Sequence, residues 1–556
     1  MEKPWAAHYD RGVPTEIIVP EITAFSYLDQ AAEKYPEKPC TIFRDQTITF
    51  AEMKKLSDHF AAGLMEMGVK LGDRVGIILP NIPQFVLTYY AVLKAGGVVT
   101  AINPQYKQRE LEYQLRDSGV QVIISLAAQR ELLDEIRKTT PIQTIIYTHV
   151  EDSFDLVDAL HIAPHSVDDC ASTPTDCWLT TVLTRSQASN QTLPRVLPDD
   201  VAIFQYSGGT TGIPKAAVGL HRNLVANTTQ FRAWLIGLRD GQETVLAAIP
   251  LFHVYGMVIA MSVGMGLGAS LVLVQNPRNI EEILTAIENY RPTLYPGVPN
   301  MYQAINTHPD VVAGKYNLSS IKACISGSAP LLPEVKKRFE ELTGGKLMEG
   351  YGLSEAPTAT HCNPMFGVNR AGSIGLPLPS VDCRIVDTES GADVAAGERG
   401  ELLLRGPQVM RGYHNRPEED QITLVDGWLH TGDIAWMDPE GYFYLVDRKK
   451  EMIKVGGFQV WPREIEEVIA LNPKVKECGV AGVPHPLKVE IVKAWVVLQP
   501  GQEMDAEEIR IWCGQHLAGY KVPSEVVFRQ DLPRSTVGKV LRRELRRMHI
   551  EGIDAI

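Results

Sequence analysis

The run Tyr206-Ser207-Gly208-Gly209-Thr210-Thr211-Gly212-Ile213-Pro214-Lys215 gathers groups that bind phosphate. Gly208, Gly209 and Gly212 let a backbone approach a ligand closely. The hydroxyls of Ser207, Thr210 and Thr211 and the N–H groups of such a loop donate to phosphate oxygens, and Lys215 adds positive charge. The spacing is not that of a Walker loop: Pro214 precedes the lysine, and Ala216 stands where the magnesium-binding Ser or Thr would follow it. Gly/Thr/Pro runs also make plain surface turns, but a turn has no need of so many phosphate donors.

Two further loops follow apolar runs. Ile321–Ile325 reads as a strand delivering Ser326-Gly327-Ser328-Ala329-Pro330, and Lys346-Leu347-Met348 as one delivering the loop Glu349-Gly350-Tyr351-Gly352-Leu353-Ser354-Glu355. Open α/β sheets bind ligands beyond the carboxyl ends of their strands, so these loops are expected to converge on one crevice. Taken singly, the capable residues have plain alternatives. Glu355 would be a solvated helix start, His253 a core histidine, Asp433 a turn residue, and Lys454 or Lys539 a surface lysine. The chain shows no obvious Ser-His-Asp or Cys-His arrangement.

The elements that must position these residues alternate. A helix over Tyr27–Lys34 precedes a strand over Cys40–Phe43, and Thr49 with Glu52 forms a capping-box pattern for the next helix. Strand Val75–Leu79, helix Phe85–Lys94, strand Val98–Ile102, a helix through Leu111 and Leu115 ending at Gly119, and strand Val120–Ser125 continue the rhythm. Strand Val201–Phe204 leads into the phosphate loop. Such alternation predicts α/β layers around a mostly parallel sheet. Residues 151–198 are polar, rich in Ser, Thr and Pro, and read as a surface excursion. Beyond about residue 370 short strands such as Cys383–Val386 and Gly400–Arg405 suggest a small barrel or curled sheet. After the charged Asp447–Glu451 comes a compact tail of helix Arg463–Leu471, strands Val475–Val480 and Val492–Leu498, and a helix after Asp505. The expected division is 1–449 and 450–556, without internal repeats.

Composition narrows the function classes. The 556 residues hold 54 Lys plus Arg against 67 Asp plus Glu, a net charge of −13, which opposes a nucleic-acid partner. Eight scattered cysteines without a CxxC pair read as free thiols of a reducing compartment. Charged residues from Glu2 to Glu16 interrupt any apolar leader, and Asp554-Ala555-Ile556 matches no peroxisomal or endoplasmic-reticulum signal, so the expectation is cytoplasmic. Val245–Val274 is uncharged and long enough to span a bilayer, but Pro250, His253, Gly256 and the glycines 264–268 divide it into strand, loop, close-packed helix and strand.

Read together, Tyr206–Lys215, Pro250–Gly256, Glu349–Glu355, Trp428–Asp433, Asp447–Lys450 and Thr536-Val537-Gly538-Lys539 resemble the acyl-adenylate-forming superfamily of acyl-CoA synthetases, adenylation domains and beetle luciferases. Within it the chain is most similar to bacterial long-chain fatty-acid–CoA ligases. Gly208 departs from the serine that many members carry, a form common among fatty-acyl ligases. The resemblance implies a large N-terminal domain of layered α/β sheets with a small β-barrel-like part, and a small mobile α+β C-terminal domain. It implies that a carboxylate attacks the α-phosphate of ATP to give acyl-AMP and pyrophosphate, after which the thiol of coenzyme A displaces AMP. Fatty acid, ATP, Mg2+ and coenzyme A are the implied substrates and ion, and a homodimer is implied at family level.

The resemblance also implies roles. Ser207, Gly208, Gly209, Thr210, Thr211, Gly212 and Lys215 would hold the β- and γ-phosphates, and Glu355 would bind magnesium. Ser326, Gly327, Ser328 and Ala329 would wall the adenine, with Glu349, Gly350, Tyr351, Gly352 and Ser354 lining the rest of the adenylate pocket. Asp433 and Arg448 would hold the ribose, and His253 would stand beside the carboxylate entry. Lys539 would serve adenylation, whereas Lys454 with Gly456 and Gly457 would serve thioester formation on the opposite face, with Lys450 as hinge. The basic run Arg542-Arg543 and Arg546-Arg547 reads as a solvated helix face, or else as a contact for CoA phosphates or the anionic inner face of a membrane. Alternative functions are an aryl- or alicyclic-acid–CoA ligase, an acyl-AMP ligase serving a carrier protein, and a non-catalytic fatty-acid-binding protein.

Overall fold

Thr49 opens the Phe50–Glu66 helix through the reciprocal cap its sequence announces: its Oγ1 accepts from the Glu52 N–H at 3.2 Å, and Glu52 Oε2 accepts from the Thr49 N–H at 2.7 Å. The computed structural model describes residues 3–152, 176–187, 189–207, 214–455, 458–485, 489–535 and 538–554. By contacts the chain forms two compact units, Lys3–Asp382 with Arg405–Gly427, and Cys383–Leu404 with Trp428–Ile556.

The first unit holds two large sheets. One has seven strands in the order 177–178, 144–148, 122–126, 74–78, 98–101, 201–207 and 215–220, parallel throughout except for the last pair. The other has nine, ordered 376–377, 359–362, 346–352, 323–326, 294–297, 244–247, 270–273, 39–43 and 46–49, with a parallel centre and antiparallel edges. The α/β expectation from strand–helix alternation holds. The uncharged 245–274 run is strand Thr244–Ala247, a loop, a buried helix beginning at Gly256, and strand Ser270–Leu273. Gly256 is required at the start of that helix, because a Cβ there would lie 2.3 Å from the Pro250 carbonyl oxygen. Among the described residues no helix is long and apolar enough to cross a membrane.

Two expectations need correction. The 151–198 excursion is not uniformly surface: Cys177–Trp178 adds a strand, and the Leu179–Ser186 helix buries Leu179, Val182 and Leu183. Their i, i+3, i+4 spacing sets one apolar stripe against the 50–66 helix, where Gly63 leaves room for Val182. Residues 153–175 and 188 lie outside the described residues. The second correction is at Glu349, which opens no loop: the strand runs on through Gly352 and pairs antiparallel with Ala359–Cys362. A Cβ on Gly352 would clash with the Thr358 backbone, so the glycine read as loop chemistry serves tight strand pairing.

The second unit contains an antiparallel array in which 400–405 pairs with 428–437 and 428–437 with 443–448. It also has a five-stranded sheet of 458–460, 453–455, 489–498 and 475–485, with 525–528 parallel to 489–498. Helices Pro462–Ala470 and Ala506–His516 pack with this sheet, the second capped by Asp505. The seven described cysteines form no disulfide, and Cys170 lies outside the described residues.

Candidate active site

Parallel register aligns three strands in the first unit. Gly297 pairs with Ser326, and Ser326 with Glu349. Ser326-Gly327-Ser328-Ala329 therefore leaves its strand beside Glu349, which lies within the 346–352 strand that leads on to Ser354 and Glu355. Ser326 is fully buried, and its hydroxyl has no hydrogen-bond partner among the described residues. Glu349 is buried, its side chain accepting from the Leu331 N–H at 3.4 Å and its carbonyl from the Asn363 N–H at 2.9 Å. Gly350 pairs with Cys362, Tyr351 with His361, and Gly352 with Ala359, while Ser354 follows in the turn. The Tyr351 ring meets the His361 ring edge-on at 5.9 Å.

The 250–256 segment is tied to the same edge. Tyr255 donates to the Ile325 carbonyl at 2.7 Å, lies 3.1 Å from that of Gly297, and has its ring so close to Gly327 that a Cβ there would sit 3.2 Å away. His253 Nδ1 accepts the Tyr255 N–H at 3.2 Å, leaving the ring proton on Nε2. Desolvation lowers the His253 pKa to about 4, so this ring is neutral at pH 7.

Glu355 and Lys215, 140 positions apart, meet through a tyrosine. Lys215 starts the 215–220 strand, and Ala216, Ala217 and Val218 are hydrogen-bonded or bridged to the 411–414 segment. This puts the Tyr413 ring 5.4 Å from the Lys215 ammonium, and the Tyr413 hydroxyl donates to Glu355 Oε1 at 2.7 Å. Lys215 also pairs with Glu419 at 2.6 Å. Ser207 ends the 201–207 strand, whereas Gly208, Gly209, Thr210, Thr211 and Gly212 lie outside the described residues.

In the second unit, Asp433 and Arg448 are cross-strand partners, with Arg448 Nε 2.6 Å from the buried Asp433 Oδ1. Lys539 sits in a tight loop where Gly538 has φ 80° and the Lys539 N–H donates to Ser535 Oγ at 3.1 Å. Desolvation lowers the Lys539 pKa, Arg448 and Arg542 act in the same direction, and Asp433 and Asp447 oppose them. Lys539 nonetheless keeps exposed surface, so it stands on a rim crowded by protein atoms. Lys454 is exposed on the short 453–455 strand, opposite Gln459, and Gly456 and Gly457 lie outside the described residues. Lys450 is exposed in the single turn Lys449–Glu451.

The basic run is not simply a solvated face. Arg542 is held at 2.5 Å by both Asp447 and Glu466, Arg546 pairs with Glu490 at 3.0 Å, and Arg547 with Glu544 at 2.8 Å and Glu551 at 3.1 Å. Helical spacing turns Arg542 inward, where two carboxylates from distant segments neutralise it.

Comparison with known proteins gives the family. The AMP-binding enzyme family model covers residues 28–414, and the model of the AMP-binding enzyme C-terminal domain covers 464–539. The chain belongs to the AMP-binding enzyme family. It is 42% identical over 549 residues to a long-chain-fatty-acid–CoA ligase of Bacillus subtilis and 38% identical over 554 residues to one of Yersinia pestis, each match covering 98% of both chains. Among solved structures it is similar to ATP-bound MatB from Rhodopseudomonas palustris, with TM-score 0.83, 27% identity, and coverage of 96% of this chain and 100% of that one.

Local sequence does not single out Tyr413 or Glu419 of this AMP-binding enzyme, and Tyr255 enters only as part of the Pro250–Gly256 motif. Gly412 before Tyr413 is one available signal: at φ 153° with Asp420 packed against its Cα, it marks a constrained turn. Which groups that turn serves depends on its pairing with the 215–220 strand, and local sequence does not state this.

Proposed function

We propose that this enzyme is an AMP-forming acid–thiol ligase that activates a fatty acid with ATP and transfers the acyl group to coenzyme A. The observation that carries the reading is the Lys215–Tyr413–Glu355 assembly, one cation and one carboxylate held by a shared tyrosine within the unit whose parallel strands set Ser326 beside Glu349. The substrate class is supported by relatives named long-chain-fatty-acid–CoA ligases across nearly the full chain.

The substrate carboxylate supplies the nucleophile: its oxygen bonds to the α-phosphorus of ATP and pyrophosphate leaves. The thiol sulfur of coenzyme A then bonds to the acyl carbon, AMP leaves, and the thiol proton passes to solvent. Ser207–Gly212 and Lys215 hold the outer phosphates, Ser326–Ala329 and Glu349–Ser354 the adenine side, and Asp433 with Arg448 the ribose. Neutral His253 serves the acid by hydrogen bonding rather than by charge. Lys539 offsets charge at the α-phosphate, and Lys454 with Gly456 and Gly457 faces the thioester step. Residues 450–556 turn about Lys450 between the two.

Glu355 fits magnesium by donor chemistry. It is a hard oxygen ligand whose hydrogen-bond donor, Tyr413, is neutral and leaves its charge available. An ion held by this one carboxylate would take its other oxygens from phosphates and water. When bound, magnesium would offset charge on the triphosphate. The same reading places the enzyme in the cytoplasm as a homodimer, with the roughly half-exposed Arg543, Arg546 and Arg547 available for peripheral contact with the inner membrane face.

The test is pyrophosphate release from ATP and magnesium across fatty acids of different length plus benzoate and cyclohexanecarboxylate, with and without coenzyme A. Turnover on medium and long chains that proceeds to acyl-CoA is expected. Turnover confined to ring acids would move the substrate, and no pyrophosphate from any acid would overturn the reading.

A further inference from the structure

The strand entering the phosphate loop and the strand leaving it are both held by one helix, Gln108–Ser118. On the entry side, the Tyr206 hydroxyl donates to Asp117 Oδ2 at 2.8 Å. On the exit side, the carbonyl of Pro214, immediately before Lys215, accepts from the Tyr113 hydroxyl at 2.7 Å. Tyr113 and Asp117 are four residues apart, so they stand one turn above the other on a single helix face. Arg416 closes the set: its Nη2 is 2.6 Å from Asp117 Oδ1 and 3.5 Å from the Tyr113 hydroxyl. Arg416 lies between Tyr413, the partner of Glu355, and Glu419, the partner of Lys215. One carboxylate, Asp117, thus joins the start of the loop to the segment that holds both charged groups of the site.

These bonds are not needed to build the sheet. The 201–207 and 215–220 strands already form a continuous ladder, with Tyr206 opposite Ala216 and Ser207 opposite Lys215. Bonds from a helix to the two residues at the loop's ends constrain where the loop begins and ends, which is the kind of support a pre-organised phosphate site requires. The protonation states agree. Burial and the Asp117 charge raise the Tyr206 pKa far above the ordinary tyrosine value, keeping its hydroxyl a donor. Burial lowers the Arg416 pKa, but the Asp117 hydrogen bond and charge outweigh it and raise it overall.

We propose that Tyr113, Asp117 and Arg416 are positioning residues for ATP: they clamp both ends of the phosphate loop and couple it to the segment bearing Tyr413 and Glu419. The proposal rests on reading 206–215 as the ATP-phosphate loop.

The test uses the purified full chain with Tyr113→Phe, Asp117→Asn, Arg416→Gln, the Asp117→Asn/Arg416→Gln double variant, and Lys215→Ala as control. Measured are KM for ATP, fatty acid and coenzyme A, the Kd for ATP alone by calorimetry, and Tm. Asp117→Asn should raise both the KM and Kd for ATP about tenfold and Tyr113→Phe about threefold, the scale of one hydrogen bond to a charged or a neutral group. KM for acid and coenzyme A should stay within about twofold and Tm within about 3 °C. The double variant should be no worse than Asp117→Asn, because both substitutions break the same link. If Lys215→Ala weakens ATP while Tyr113→Phe and Asp117→Asn do not, the clamp is overturned and the loop reading stands. If Lys215→Ala leaves ATP affinity unchanged, the loop reading falls and the clamp with it. A uniform rise in all three KM values accompanied by a large drop in Tm would assign these residues to folding and also overturn the proposal.

Discussion

Tyr413 donates its hydroxyl proton to Glu355 at 2.7 Å, while the face of the same ring attracts the ammonium of Lys215. A neutral side chain therefore sets the spacing of the two charges in the first unit that an ATP–magnesium complex would meet.

Tyr413→Phe keeps the ring and its attraction for Lys215 but removes the donor to Glu355. Losing a hydrogen bond to a partly exposed carboxylate should slow pyrophosphate release about three- to tenfold. The half-saturating magnesium concentration should also change, because the carboxylate loses its orientation. Titrating magnesium against the wild type checks this; identical magnesium dependence would sever the link between Tyr413 and ion binding.

Lys539→Ala should abolish acyl-AMP formation while sparing thioester formation from supplied acyl-AMP, and Lys454→Ala should slow the second half-reaction more than the first. Equal losses in both steps would undo the two-face assignment. The Lys539 pKa is lowered from 10.5, chiefly by desolvation, so its charge is lost at lower pH than that of an ordinary lysine. Adenylation should accordingly decline on the alkaline side before pH reaches 10.5, with the rate falling as pH rises. The half-reaction from supplied acyl-AMP should lack that decline.

Buried imidazoles make stability depend on pH in a definite direction. Burial lowers the His221 pKa from 6.5 to about 4 and that of His361 to about 3, so the folded protein refuses protons that the unfolded chain takes up. The stabilisation is complete above pH 6.5 and is lost as pH falls from there toward about 4 and 3. The contribution is on the order of 3–5 kcal/mol per ring. His221 Nδ1 accepts the Ala24 N–H at 3.2 Å, a role an asparagine oxygen retains. In His221→Asn the fall in Tm between pH 6.5 and 4 should be shallower than in the wild type; an unchanged slope would show that this ring does not drive it.

What was legible in the sequence had local causes. Thr49 and Glu52 form a helix cap because both partners lie within one turn, and Gly119 ends its helix because the left-handed φ of 66° favours glycine. The broken 245–274 run announced buried elements through its own breakers. The density of hydroxyls and glycines with a lysine in 206–215 suits phosphate by composition alone, without reference to any other segment. Even Asp433 and Arg448 stood out, since each belongs to a recognisable local pattern, though their register came only with strand pairing.

The rest depended on long-range pairing. Glu349–Gly352 has loop composition, yet it is strand because Ala359–Cys362 returns alongside it. Trp178 to Leu183 sits in a polar stretch, yet it is core because Gly63 leaves space for Val182. Arg542 belongs to a basic run, yet it turns inward because Asp447 and Glu466 arrive from elsewhere. The sequence by itself determined which residue types could bind phosphate, nucleotide and a hard cation, since that follows from their chemistry and close spacing. Only the tertiary structure decided which of them meet. Tyr413 reaches Glu355 and Lys215, and Tyr113 and Asp117 reach Pro214 and Tyr206, through strand register and helix placement, and those arise from contacts between segments far apart in the chain.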